Sequence, residues 1–217
     1  MNNNRTKDLT TIALMTAITA VMAQLAIPMP GGVPMTLQTL AVTLAGVILG
    51  QQRGTISMVV YLLIGAVGVP VFSSFTGGAG VLIGPTGGFL WSFPAMALII
   101  GYGADKEVCR TETASRAAST SRAETASRAA STSRADTGAD NTARTYKNGS
   151  LGFWFFIILG TAVNYFVGTA AFCYLTGANL SAGIAACVIP FIPTAIIKAL
   201  IGGLLGLRIK SALRKTS

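Results

Sequence analysis

The 217-residue sequence contains no histidine. That removes the commonest metal ligand and the side chain best suited to proton transfer near neutral pH. With it go the Ser-His-Asp and Cys-His arrangements of nucleophilic catalysis. Cysteine is scarce as well: Cys109, Cys173 and Cys187 match neither a disulfide frame nor a zinc spacing. Cys173 and Cys187 lie in apolar stretches and read as small buried thiols. Acidic residues number only seven, and none falls inside an apolar run, so an enzyme built on intramembrane acid–base chemistry is poorly equipped. No Gly-Lys-Ser/Thr closes a glycine-rich stretch, which excludes a Walker A loop and ATP hydrolysis by that route. The reading is of a non-enzyme, with no catalytic residue, cofactor or metal. Charged residues of both signs amount to 11%, against about 25% in an ordinary soluble domain. A chain with so little polar surface needs a solvent other than water, and the bilayer is that solvent.

What the chain does have is apolar sequence, 52% of it, gathered into runs at residues 9–27, 36–50, 55–71, 88–103, 151–175 and 183–207. The expectation is an all-α polytopic membrane protein with six transmembrane helices in a single membrane domain spanning residues 1–217. A straight helix needs about 20 residues to cross the hydrocarbon core. The second, third and fourth runs are shorter and would be thin spans or extend into the Gly/Pro loops. The first run follows Arg5 and Lys7 like a signal peptide, but residues 28–32 (PMPGG) make a poor cleavage region, so it is read as a mature helix.

The net charge of +9 could suggest nucleic acid, but no basic amphipathic helix or basic-aromatic patch appears. The basic residues are instead asymmetric. With six spans, 15 of the 16 Lys and Arg fall on the side of the two termini, and the opposite loops hold none. Basic flanks mark the cytoplasmic side, which puts both termini there and the chain in the cell membrane. The same side carries residues 106–150, with a 12-residue repeat, TASRAASTSRAE at 113–124 followed by TASRAASTSRAD at 125–136. The repeat offers no large apolar residue to offset ordering entropy, so the stretch is expected to be a disordered cytoplasmic insertion.

The sixteenth basic residue, Lys198, lies within the last run. A charge at membrane depth costs about 2.5–3.5 kcal/mol on insertion scales. No acid within a span can pair with it, whereas an anionic ligand could. The alternative is snorkelling to a headgroup; inward, about 10 residues or roughly 15 Å of helix stand between it and Arg208. The loop at 70–88, PVFSSFTGGAGVLIGPTGG, is rich in glycine, which permits close backbone approach to a ligand. Asn164 and Tyr165 lie mid-run and Gln38 just inside the second run, where such groups either join helices or meet a ligand. Phe75, Phe89 and Trp91 could wall an apolar ring or anchor span ends at the interface. Ala13 and Ala17 give the first run a small-xxx-small face for another helix.

Four segments in this order carry a resemblance. They are Thr36-Leu37-Gln38-Thr39-Leu40 with Leu44-Ala45-Gly46; Tyr61-Leu62-Leu63-Ile64-Gly65 through Gly68-Val69-Pro70-Val71-Phe72; Gly77-Gly78 with Gly84-Pro85-Thr86-Gly87-Gly88-Phe89; and Pro190-Phe191-Ile192-Pro193 with Lys198. Together they resemble the BioY family, the biotin-binding S components of energy-coupling-factor (ECF) importers, over about residues 9–105 and 151–210. The resemblance implies six helices, a biotin site near the outer face, and partnership with a transmembrane coupling subunit and ATP-binding subunits. It implies that Ala13 and Ala17 face the coupling subunit. Biotin would then set its carboxylate on Lys198, its ureido ring on Asn164, Gln38 or Tyr165, and its thioether ring on an aromatic wall. The candidate ligand contacts are Lys198, Asn164, Tyr165, Gln38, Thr86, Phe75, Phe89 and Trp91. Association between copies of the chain is compatible with this reading. One departure stands out: Ala195 occupies the place, three before the lysine, where the family often has an acid. On the residues alone, a stand-alone carrier for another small organic anion remains the alternative.

Overall fold

Backbone polar groups in an apolar surround must be satisfied within the chain, and helices do this locally. The computed structural model describes residues 3–29, 33–129 and 150–215, and helices dominate it. Helix α1 (Asn3–Gln24) leads into a short antiparallel pair, β1 (Ala26–Ile27) and β2 (Met35–Thr36), with Ala26 opposite Thr36. Then follow α2 (Gln38–Ala66), a 3-10 turn at Ser73–Phe75, α3 (Ala79–Ile83), α4 (Gly87–Ala129), α5 (Leu151–Thr176), α6 (Leu180–Cys187), a 3-10 turn at Ile189–Phe191, and α7 (Ile192–Lys215).

α2 is not one rod. Gly50 takes φ 79° and ψ −173°, backbone angles essentially closed to residues with a Cβ. Gln38 and Tyr61 lie 23 positions apart, which a straight helix would stretch to about 35 Å. Their side chains nevertheless meet, Gln38 Nε2 donating to the Tyr61 hydroxyl at 2.6 Å. The chain therefore doubles back at Gly50, and residues 38–49 run antiparallel to residues 51–66. α1 is fastened to the second limb by polar groups: Thr16 Oγ1 and Ser57 Oγ lie 3.0 Å apart, and Ser57 Oγ donates to the Ile12 carbonyl at 3.2 Å. Such bonds join helices where burial of apolar area gives little drive.

The bundle has two chemically distinct ends. One collects charge: Arg53 pairs with Asp8 at 3.1 Å, and Lys210 with Asp105 at 3.0 Å. Asp105 also accepts from the Gln51 amide at 2.9 Å, tying the Gly50 reversal to α4 and α7. Glu107, buried, accepts from the Ser150 amide at 3.0 Å and contacts the Ser150 hydroxyl. Ser150 in turn caps α5, its Oγ accepting from Phe153 N at 3.3 Å. The other end gathers the β1–β2 pair, the 3-10 turns and the glycine-rich loop. Between the ends lies an apolar core around Met58, Tyr61, Phe72, Met96, Ile100 and Ile157. Large apolar side chains such as Phe155, Ile158, Phe166 and Tyr174 cover the outside of α5, an exposure that suits lipid rather than water.

Among the described residues, four segments are long and apolar enough to cross a membrane: Gln38–Ala66, Gly87–Thr113, Leu151–Thr176 and Leu180–Leu213. The expected runs 36–50 and 55–71 fall within the first as its two limbs. The expected run 9–27 is not among the four: α1 ends at Gln24, and Lys7, Asp8, its threonines and Gln24 dilute its apolar stretch. Pro190 and Pro193, each lacking a backbone N–H, interrupt the run at 183–207 between α6 and α7. α4 continues as helix to Ala129, through the first repeat copy. Ala, Arg and Glu are strong helix formers, and a helix already nucleated needs only propagation to continue into them. Residues 130–149, with most of the second copy, lie outside the described residues.

Candidate ligand-binding site

At the end away from the charged cluster the elements converge on an open-mouthed cavity. β2 supplies Thr36, the start of α2 supplies Gln38 and Thr39, and α4 supplies Phe89, Leu90 and Phe93. α5 supplies Asn164 and Tyr165, the second 3-10 turn Phe191, and α7 Lys198. Every one of these sits where a helix begins or where α5 passes the same level, so the cavity is an outcome of the loop geometry.

Lys198 is buried, and its Nζ donates to the Thr36 carbonyl at 2.6 Å. An ammonium has three N–H donors; this bond uses one. No acidic residue lines the cavity, so the charge meets no carboxylate there. The lining also carries an aromatic cluster. Tyr165 stands edge-on to Phe89 with centroids 6.4 Å apart, and leans on Phe191 at 6.4 Å. Phe89 fits against α5 because position 168 is glycine; a Cβ there would strike its ring.

Two amides complete the lining. Gln38 passes a hydrogen bond to Tyr61, whose hydroxyl donates to the Val71 carbonyl at 2.8 Å. This chain holds the start of α2 against the loop leaving its second limb. Asn164, 1% exposed, donates through Nδ2 to Ser92 Oγ at 2.7 Å and to the Phe89 carbonyl at 3.3 Å. Its Oδ1 is buried without a hydrogen-bond partner. The arrangement can seat a compact, largely apolar molecule with an anionic tail and a polar head. Among the described residues no group of three His, Cys, Asp or Glu is placed to hold a metal ion.

Of the residues singled out in the sequence, Lys198, Asn164, Tyr165, Gln38, Thr86 and Phe89 line this cavity. Phe75 and Trp91 do not. Phe75 takes a left-handed backbone conformation (φ 57°) and its ring is 73% exposed; its amide donates to Gln24 Oε1 at 2.7 Å, which fixes the turn. Trp91 lies two positions from Phe89, on the outer side of α4, with its Nε1 donating to the Leu82 carbonyl at 3.2 Å. Phe93 and Phe191 were not singled out. Phe93 follows Phe89 by four positions, one helical turn on, a signal that was available. Ala13 and Ala17 lie on an exposed face of α1 with Leu9, Leu14 and Val21.

The family model for BioY matches residues 1–215. A "Probable biotin transporter BioY" of Pyrococcus horikoshii is 42% identical over 102 residues, 47% of this chain and 62% of that protein. The "Biotin transporter BioY" of Thermotoga maritima is 45% identical over 101 residues, 46% of this chain and 59% of that protein. The chain thus spans less than two thirds of the length of these curated relatives. Among solved structures, the S-component for biotin from an ECF-type ABC transporter superposes with a TM-score of 0.73 at 25% identity, covering 97% of this chain and 94% of that one.

Proposed function

The chain belongs to the BioY family, and we propose that it binds biotin in the cavity described above and delivers it for uptake as the substrate-specific subunit of an ECF-type importer. It is a multi-pass membrane protein, mostly helical, with four segments suited to spanning. The finer topology is part of the proposal: six membrane helices, obtained by counting α1 and the two limbs of α2 separately, with both termini cytoplasmic in the cell membrane. Two features support that orientation. The ion pairs Arg53–Asp8 and Lys210–Asp105 gather at the end of the bundle that bears the termini, and the cavity lies at the opposite end, where the loops carry no Lys or Arg.

The observation that carries the ligand is Lys198: a buried cation in a cavity whose described lining includes aromatic rings and no acid. Biotin matches that inventory with a carboxylate, an apolar thioether ring and a ureido head that needs hydrogen-bond partners. The relatives' names and the neighbour's description agree with it. ATP hydrolysis falls to partner subunits, and the exposed face bearing Ala13 and Ala17 is the surface proposed for the coupling subunit. The test is uptake of labelled biotin by cells without a biotin transporter of their own. Accumulation that requires co-expressed coupling and ATP-binding subunits supports the proposal. Accumulation driven by this chain alone would favour the stand-alone carrier.

A further inference from the structure

Among the described residues, Asn164 is the one lining the cavity with a side-chain atom that is fully buried and unpartnered. The orientation of its amide is fixed by its neighbours. The Phe89 carbonyl can only accept, so the group 3.3 Å from it must be Nδ2. Ser92 has a single hydroxyl proton, which goes to the Phe89 carbonyl at 2.7 Å, so Ser92 Oγ must accept from Asn164 at 2.7 Å. Turning the amide over would set Oδ1 3.3 Å from that carbonyl, lone pair against lone pair. Oδ1 is therefore an acceptor with no donor among the described residues, on a residue that lines the cavity. A buried acceptor left unpaired is costly, and native structures rarely retain one without a reason.

We infer that Asn164 Oδ1 is the specificity-determining acceptor for an N–H of the ligand's polar head, held in place by Ser92 and the Phe89 carbonyl. This rests on the reading of the ligand as biotin, whose cyclic urea supplies two such donors. It also gives the head group a partner in a chain where Ala195 offers none. The site then reads both ends of its ligand by complementary rules: Lys198 requires an anion at the tail, and Asn164 requires a donor at the head. A ligand presenting an acceptor to Asn164 would meet lone pair with lone pair.

The experiment uses biotin and two near-isosteric cyclic carbamates, each with one ureido N–H replaced by oxygen, in equilibrium binding to the purified chain. The unmodified protein should bind one carbamate at least tenfold more weakly than biotin, about 1.4 kcal/mol. Asn164→Leu should reduce that preference to within threefold. Equal binding of biotin and both carbamates by the unmodified protein overturns the assignment, whether or not the variant folds. A preference that survives in Asn164→Leu also overturns it. Absence of biotin binding by the folded, unmodified chain would instead remove the ligand reading on which the assignment stands.

Discussion

Replacing Lys198 with methionine keeps most of the volume of the side chain and removes its charge. At a separation of about 4 Å and an effective dielectric constant near 20, a carboxylate and an ammonium attract by about 4 kcal/mol. Breaking a buried pair by removing one partner costs about 3–5 kcal/mol, because the remaining charge is left uncompensated. Lys198 is 8% exposed and no other cation lines the cavity, so no neighbour can substitute for it. The expected loss is about 3–4 kcal/mol, or several hundredfold in affinity for biotin. Biotin amide has no charge to leave uncompensated and should weaken by no more than about tenfold. The comparison matters because Lys198 also holds the Thr36 carbonyl at 2.6 Å, so its removal will loosen β2 for any ligand. Titration of both ligands into wild-type and Lys198→Met protein in detergent, with thermal unfolding to confirm folding, separates the two roles. Equal weakening of acid and amide would refute the electrostatic reasoning and leave Lys198 as a structural tie.

Further perturbations probe the frame around the site. Gly50→Ala puts a Cβ at φ 79° and against the Asp105 carboxylate; it should lower stability by about 1–3 kcal/mol, and an unchanged melting temperature would contradict the account of the reversal. Tyr61→Phe strands Gln38 Nε2 and the Val71 carbonyl, at a cost of about 1–3 kcal/mol; a variant as stable as wild type would show that this chain does not hold the start of α2. Deleting residues 113–136 should leave biotin affinity within about threefold, and a tenfold loss, about 1.4 kcal/mol, would place that segment in the working protein.

Much of this was legible in the residues, for physical reasons that differ from place to place. Lys198 was legible because a lone charge in an apolar run has few tolerable explanations. The reversal between the limbs of α2 was foreshadowed by Arg53 between two apolar stretches, although the sequence did not identify Gly50 as its pivot. The pairing of Gln38 with Tyr61 was hidden, since their separation becomes a contact only once the chain has turned. Phe75 and Trp91 looked equivalent to Phe89, but which way an aromatic faces depends on helix rotation and on a left-handed turn that the sequence does not announce. Asp105 and Glu107 drew no attention as isolated acids, and their role emerged only where Gln51, Lys210 and Ser150 came within reach.

The central claim is that the cavity around Lys198 is a biotin site, and its most direct test is equilibrium binding of labelled biotin to the purified chain, with biotin amide and lipoate as competitors. The account predicts saturable binding at one site per chain, strong competition by unlabelled biotin, and weak competition by the amide, which lacks the charge, and by lipoate, which lacks the ureido head. A folded preparation that binds no biotin, or binds the three compounds alike, would contradict it.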